Sequence, residues 1–258
     1  GIQYLAEVLE LDRNTGNIVP EWKKRYANTD SYRQTYNAAV LYKDALYVAG
    51  YNVVKPGSDG ARMLLAKLSP NNGDVLWSKV GHRNIAANAR FAANDLIVDQ
   101  DSLVVLYTGT ETPNGQDHLF LQKTDLNGNL VWARDYGALI RGLEVLAVPN
   151  GYVILGQNFS GAWTLVKTNK NGKTLITKLL DYKPSSFGLS LGDQQQQIAW
   201  IGDRLFFAGY GYDDTEDARL LKTDMDLQFI EPCTSYKTLP LLPSTLVSGA
   251  ANYPINQS

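Results

Sequence analysis

The phrase Leu121-Gln122-Lys123-Thr124-Asp125-Leu126-Asn127-Gly128-Asn129-Leu130-Val131-Trp132 returns along the chain in degraded copies. A chain written this way folds as one supersecondary unit repeated around a scaffold. Aligned on the turn glycine, Leu11-Asp12-Arg13-Asn14-Thr15-Gly16 leads to Trp22, and Lys67-Leu68-Ser69-Pro70-Asn71-Asn72-Gly73 leads to Trp77. Lys167-Thr168-Asn169-Lys170-Asn171-Gly172 leads to Ile176, and Lys222-Thr223-Asp224-Met225-Asp226 is the most worn copy. Measured on the lysine, the steps are 123−67 = 56, 167−123 = 44 and 222−167 = 55 residues, the spacing of propellers, solenoids or arrays.

Ahead of each copy stand two further apolar runs, the second ending on glycine: Leu46 to Gly50, Val105 to Gly109, Val153 to Gly156 and Leu205 to Gly209. Short β-branched and aromatic runs bounded by Gly, Asn and Asp are strands joined as hairpins, so each period holds four antiparallel strands. Helical spacing of apolar residues is absent beyond about two turns. The fold class expected is therefore all-β, a propeller of four-stranded antiparallel blades, since stacking blades covers both apolar faces and leaves short edges.

The chain starts with an outer hairpin from Tyr4 to Trp22 and ends with the half-unit Thr245-Leu246-Val247-Ser248-Gly249. Closing from Gly249 round to Gly16 takes (258−249)+16 = 25 residues, against 73−50 = 23, 128−109 = 19 and 172−156 = 16 in intact units. Five blades follow, at about 36–81, 88–137, 140–182, 191–236 and 240–258 plus 1–26, the last shared by both termini. They form a single domain, and the start in mid-blade predicts an excised part of a longer multidomain protein.

A balance of 24 basic and 26 acidic residues, net −2, argues against nucleic-acid or anionic-membrane partners, which need basic surfaces. No apolar run reaches the roughly 18–20 residues that span a bilayer, and Gly1-Ile2-Gln3-Tyr4 lacks a signal-peptide pattern. The lone Cys233 reads as a small core residue.

Catalytic patterns are scarce. His82 and His118 are the only histidines and fall in different blades; Asp117 beside His118 would point to the opposite strand face, and no G-x-S-x-G elbow exists. One cysteine and two distant histidines give no zinc spacing, and Gly209-Tyr210-Gly211 is only a fragment of a nucleotide motif. Asp125 to Asn129 mimics half a calcium loop, but the glycine comes two residues early and position twelve is Tyr136 where a bidentate Glu belongs, so the phrase reads as a tight turn. The expectation is no metal and no cofactor.

Tyr212, Asp213, Asp214, Thr215, Glu216 and Asp217 form the densest acidic cluster, on the connection between two hairpins. It reads first as a solvated loop, and Tyr212, Asp213, Asp214, Glu216 and Asp217 are the binding candidates the sequence offers. Trp22, Trp77 and Trp132 recur in register, with Ile176 in the fourth place, as residues packed between blades. The loops 52–59, 110–116, 158–162 and 211–217 should gather on one face, where binding usually resides; Gln194 to Gln197 leads into an inner strand near it.

The phrases at 121–132 and 165–172 resemble the repeat of secreted β-propeller proteins of gliding-type bacteria, many of which carry a type IX secretion sorting signal. The resemblance implies an extracellular or cell-surface module, often of an adhesin or appendage, with no catalytic residues. Residues 11–18 with Trp22 are also similar to quinoprotein-like blades, whose acidic calcium ligands have no match here.

Two function classes follow. One is a non-enzymatic interaction module binding a protein, a surface glycan or sister subunits. The other is a carbohydrate-active or quinoprotein-like propeller enzyme. Glycan cleavage needs two carboxylates about 5–10 Å apart across a cleft, and Asp213 and Asp214 share one loop without a visible partner from another blade.

Overall fold

A computed structural model describes residues 5–26, 32–53, 60–81, 89–110, 116–138, 140–158, 163–179, 197–212 and 216–228, and every regular element among them is a β-strand. The described residues divide into two compact units, one ending at Ala138 and one starting after it.

The first unit opens with the hairpin of β1 (Ala6–Leu11) and β2 (Ile18–Tyr26). A four-stranded antiparallel meander follows, of β3 (Arg33–Tyr42), β4 (Ala45–Val53), β5 (Ala61–Leu68) and β6 (Val75–Val80). A second meander has β7 (Arg90–Val98), β8 (Ser102–Thr110), β9 (His118–Asp125) and β10 (Leu130–Ala138). One parallel bridge, Ala61 with Arg90, and a bond from the Ala61 amide to the Ala89 carbonyl, 3.1 Å, tie the two meanders.

The second unit repeats the plan. β11 (Ile140–Val148), β12 (Gly151–Asn158), β13 (Trp163–Asn169) and β14 (Thr174–Leu179) form a four-stranded sheet, and β15 (Gln197–Ile201), β16 (Arg204–Tyr212) and β17 (Glu216–Asp224) give three strands of the next. The four-strand period expected from the repeat is present. Residues 245–249, Tyr4 and Cys233 lie outside the described residues, so the shared last blade does too.

Within each unit the sheets pack face to face, which explains why the middle strands read as continuous apolar runs. From Leu103 to Thr110 every residue of β8 is buried, and Leu103, Val105 and Tyr107 belong to the core shared with the β3–β6 meander. Tyr47, Ala49, Leu65, Phe91, Leu103, Val105 and Tyr107 form one core of the first unit. Ala6 and Tyr26 pack with Tyr36, Val48, Leu64 and Leu68 in another, and Val153, Leu155, Trp163, Leu205 and Phe207 centre the second unit's core.

The recurring glycine at the end of the second run has a steric cause. The innermost strands shift register at equivalent places, between Tyr36 and Ala38 and between Ala93 and Asp95. There the inner strand crowds its neighbour: a Cβ on Gly50 would lie 1.9 Å from the Thr35 carbonyl oxygen, and one on Gly109 2.2 Å from the Phe91 ring. Only glycine fits.

Candidate functional site

The repeated turn is the first candidate, and its polar groups are consumed locally. Asp125 Oδ1 accepts the backbone amides of Asn127 and Asn129, at 2.9 and 2.8 Å, and Oδ2 accepts the Asn129 side-chain amide at 2.8 Å. Asn169 accepts from Asn171 and Lys173, Asp224 from Asp226 and Gln228, and Asp12 from Asn14 and Thr15. Hydrogen bonds from Asn129 hold the Asp125 carboxyl below the usual carboxylate range, and those from Thr15 do the same for Asp12. The glycines take φ near +70°, Gly16 at 70°, Gly73 at 71°, Gly128 at 73° and Gly172 at 74°. The calcium-like spacing is thus that of an Asx turn, with the carboxylate pointed at its own backbone.

The turns at Gly73, Gly128 and Leu227 are also sockets for the sheet that precedes each of them. Trp22 Nε1 donates to the Pro70 carbonyl, and Tyr26 Oη donates to the Gly73 carbonyl at 2.7 Å. Burial, with Asp74 nearby, pushes the Tyr26 phenol up to about 12, which keeps it a donor. A Cβ on Gly128 would sit 2.9 Å from Trp77 Cη2, so the missing side chain admits the indole. Two residues beyond Trp22, Trp77 and Ile176 stands a lysine that reaches the residue after the next turn's glycine position. Lys24 Nζ lies 3.6 Å from Asp74, Lys79 bonds Asn129 at 2.8 Å and Lys178 bonds Gln228 at 2.9 Å. Trp22 and Trp77 therefore pack between successive sheets. Arg134, in the lysine's place, instead lies over its own Trp132 ring, 5.7 Å from the centroid.

The repeat lysines are used as well. Lys123 is paired with Asp99 at 3.0 Å, their side chains 13% and 7% exposed. Lys167 reaches Asp226 at 2.8 Å and the Met225 carbonyl, and holds the Asp226 carboxyl below its usual range.

A second candidate is an Asp–His pair that the sequence reading missed. His118 Nδ1 lies 2.9 Å from Asp135 Oδ2, both partly exposed. The imidazole stacks on Phe120, centroids 5.9 Å apart, and Phe120 stacks on Tyr107 at 4.9 Å. Burial and the Asp135 charge push the Tyr107 phenol up. The partner of His118 is thus Asp135 on the neighbouring strand. The pairing depends on a register shift between Asp135 and Ala138, where Gly137 takes φ 96° and donates its amide to Asp135 Oδ1 at 2.8 Å. No sequence motif marks such a shift.

The third candidate is the outer strands. Val75 and Leu76 on β6, Leu130 and Val131 on β10, and Leu175 and Leu179 on β14 are exposed, Leu130 by 63% and Leu179 by 59%. Ile18 on β2 is exposed in the equivalent place. The signal was present in the repeat, as the apolar pair after the turn glycine.

Among the acidic-cluster candidates, Asp213 and Asp214 lie outside the described residues, as do His82, Gln194, Gln195 and Gln196 and most of the loops 52–59, 110–116 and 158–162. Tyr212 ends β16 and is paired with Glu216, and Gly211 with Asp217, so the connection spans only residues 213–215. Among the described residues no cluster of three or more His, Cys, Asp or Glu side chains could hold a metal ion.

No protein-family model and no curated protein matches the chain. Among solved structures it is similar to the Trypanosoma rangeli sialidase, with 11% identity over 92% of this chain and 42% of that one, at a TM-score of 0.50. A protein of unknown function from Bacteroides caccae covers 89% of this chain and 90% of its own at 12% identity and TM-score 0.46. A GH43 endo-arabinanase from Bacillus licheniformis covers 79% and 76% at 14% identity and TM-score 0.44. The chain spans less than half of the sialidase, and at this identity the likeness concerns the fold alone: the chain is all-β, with the four-stranded antiparallel blades of a β-propeller.

Proposed function

We propose that the chain is a non-enzymatic interaction module that binds through the outer strands and connecting loops of its blades, within an extracellular or cell-surface protein such as an adhesin or appendage component. The observation that carries this reading is the recurrence of exposed apolar residues, Leu76, Val131 and Leu175, in one register on successive outer strands. Edge strands that show apolar side chains to solvent are sites of association. The charged and polar residues of the repeat support it from the other side, since Asp125, Asn169 and Asp224 are spent on turns and Lys123 and Lys167 on ion pairs. The repeat's resemblance to secreted propellers supports a partner outside the cell, a protein, a surface glycan or a sister subunit, and makes type IX export the route to test.

The experiment is a binding screen of the folded chain against surface proteins and glycans, repeated with Leu76→Ser, Val131→Ser and Leu175→Ser combined. Retained binding by a variant with an unchanged near-UV spectrum would remove the outer strands from the reading.

A second reading, a carbohydrate-active enzyme, is favoured by one feature, the partly exposed His118–Asp135 pair on its aromatic stack. Turnover of a glycoside that disappears in His118→Ala would establish it and displace the first.

A further inference from the structure

Among the described outer strands only β14 has no acidic residue within it or directly before it, whereas Lys23, Lys24 and Arg25 of β2 are matched by Glu7 and Asp74. β2 carries Glu21 and is interrupted by Pro20, β6 follows directly on Asp74, and β10 contains Asp135. β14 has no acidic residue, contains Lys178 and is preceded by Lys173. Its sheet, residues 140–179, holds Arg141, Lys167, Lys170, Lys173 and Lys178 against Glu144, a net of +4 in a chain of net −2.

Part of that charge is already answered. Lys167 faces Asp226 and Lys170 lies over the Tyr152 ring, 5.1 Å from its centroid. Lys178 meets only the neutral Gln228 side chain, and Lys173 is exposed, so two positive charges at the edge lack an acidic counterpart among the described residues.

The backbone of β14 is likewise half used. It pairs with β13 from Leu179 opposite Thr164 to Thr174 opposite Thr168, and no described strand pairs its other side. Leu175, Thr177 and Leu179 are exposed, and the strand Thr-Leu-Ile-Thr-Lys-Leu has high strand propensity and no proline. Lysines at such an edge repel a second copy of the same strand. The same lysines favour a strand of opposite charge.

Resting on the binding reading of the outer strands, we propose that β14 is an acceptor edge for an extended, acidic, apolar-alternating polypeptide segment, which adds to the sheet as a strand beside it. Backbone hydrogen bonds to the side of β14 that no described strand pairs give the register, Leu175 and Leu179 take the apolar positions, and Lys173 and Lys178 take the carboxylates. A precedent for the charge pattern stands in the chain's own first hairpin, where Glu7 on β1 lies between Lys23 and Arg25 of the adjacent strand, at 3.2 and 3.0 Å.

The test uses the full chain with a synthetic peptide alternating glutamate and valine, a control with lysine for glutamate, and a control with a central proline. Titration is read by fluorescence anisotropy, and the site by hydrogen exchange. The glutamate peptide is expected to bind, to slow exchange in β14 and in no other outer strand, and to lose affinity by about tenfold or more in Lys173→Glu/Lys178→Glu and on raising the salt. Both controls should bind at least about tenfold more weakly.

Failure to bind, protection at another edge, equal binding of the lysine peptide or self-association through β14 each overturns the proposal. Protection of β6 or β10 would do so while leaving the wider binding reading intact, whereas the Leu76→Ser/Val131→Ser variant leaves β14 unaltered, and its undiminished binding of a partner from the screen counts against that reading alone.

Discussion

Leu227 occupies the left-handed turn position that glycine fills in the other copies, at φ 58°, and its side chain is fully buried in the cluster against which Ile176 packs. Where the preceding strand offers Trp77, the turn offers Gly128, and where it offers Ile176, the turn offers Leu227. Large meets small in one junction and medium meets medium in the other.

Leu227→Gly relieves a left-handed backbone cost of about 1–2 kcal/mol. It also empties a buried site whose truncation costs about 2–5 kcal/mol. Burial wins, and urea denaturation should show a net loss of about 1–3 kcal/mol. A gain in stability would mean that Leu227 is not filling the space left by the smaller Ile176.

Gly128→Leu should destabilise by at least about 2 kcal/mol, from the left-handed backbone and from the clash with Trp77. Combined with Trp77→Ile, which copies the Ile176 and Leu227 pairing, part of the loss should return. A double-mutant cycle should give a favourable coupling of about 1 kcal/mol or more; additivity would dissociate the two positions.

Lys123→Met leaves the Asp99 carboxylate buried without its ammonium, a change that costs about 3–5 kcal/mol. Adding Asp99→Asn removes the stranded charge, and thermal denaturation should show much of the stability restored. If the double variant is no better than the single one, the pair is not the source of the loss.

Glu7, Asp12, Asp101, Asp125 and Asp226 are all held below their ordinary ionisation range: Glu7 by Arg25, Asp12 by Thr15, Asp101 by Lys43, Asp125 by Asn129 and Asp226 by Lys167. A carboxyl with a depressed folded-state value binds its proton more readily when unfolded. Its contribution is complete above the unfolded value near 4, and is lost as the pH falls through the folded one. Stability should therefore decline below about pH 4. In an NMR titration Asp125→Asn should remove one low-titrating carboxyl while keeping the turn, as Asn169 does in its copy. An unshifted Asp125 would contradict the turn geometry.

The strand order and the four-strand period were legible because Gly50, Gly109, Gly128 and their kin are fixed by local backbone needs that a sequence displays directly. Trp22 and Trp77 were legible for the same reason, since they recur in step with the turns. His118 and Asp135 were not: they meet across two strands through a register shift at Gly137, and pairing across a bulge leaves no motif. The buried Lys123 was equally hidden, because its partner Asp99 lies two strands away in the same sheet and solvent exposure cannot be read from charge. The apolar residues after the turn glycine are visible in the sequence, but apolar residues in a strand pattern do not by themselves show exposure. Their meaning lies in the edge position, which only the pairing of β6, β10 and β14 reveals.

The most direct test of the binding account is a side-by-side titration of a partner from the surface-protein and glycan screen. The wild-type chain is compared with the Leu76→Ser/Val131→Ser/Leu175→Ser variant and with His118→Ala, each checked for an unchanged near-UV spectrum. The account predicts that the outer-strand variant loses binding by about tenfold or more while His118→Ala binds as the wild type does. Undiminished binding by the outer-strand variant, or turnover of a glycoside abolished in His118→Ala, would contradict it.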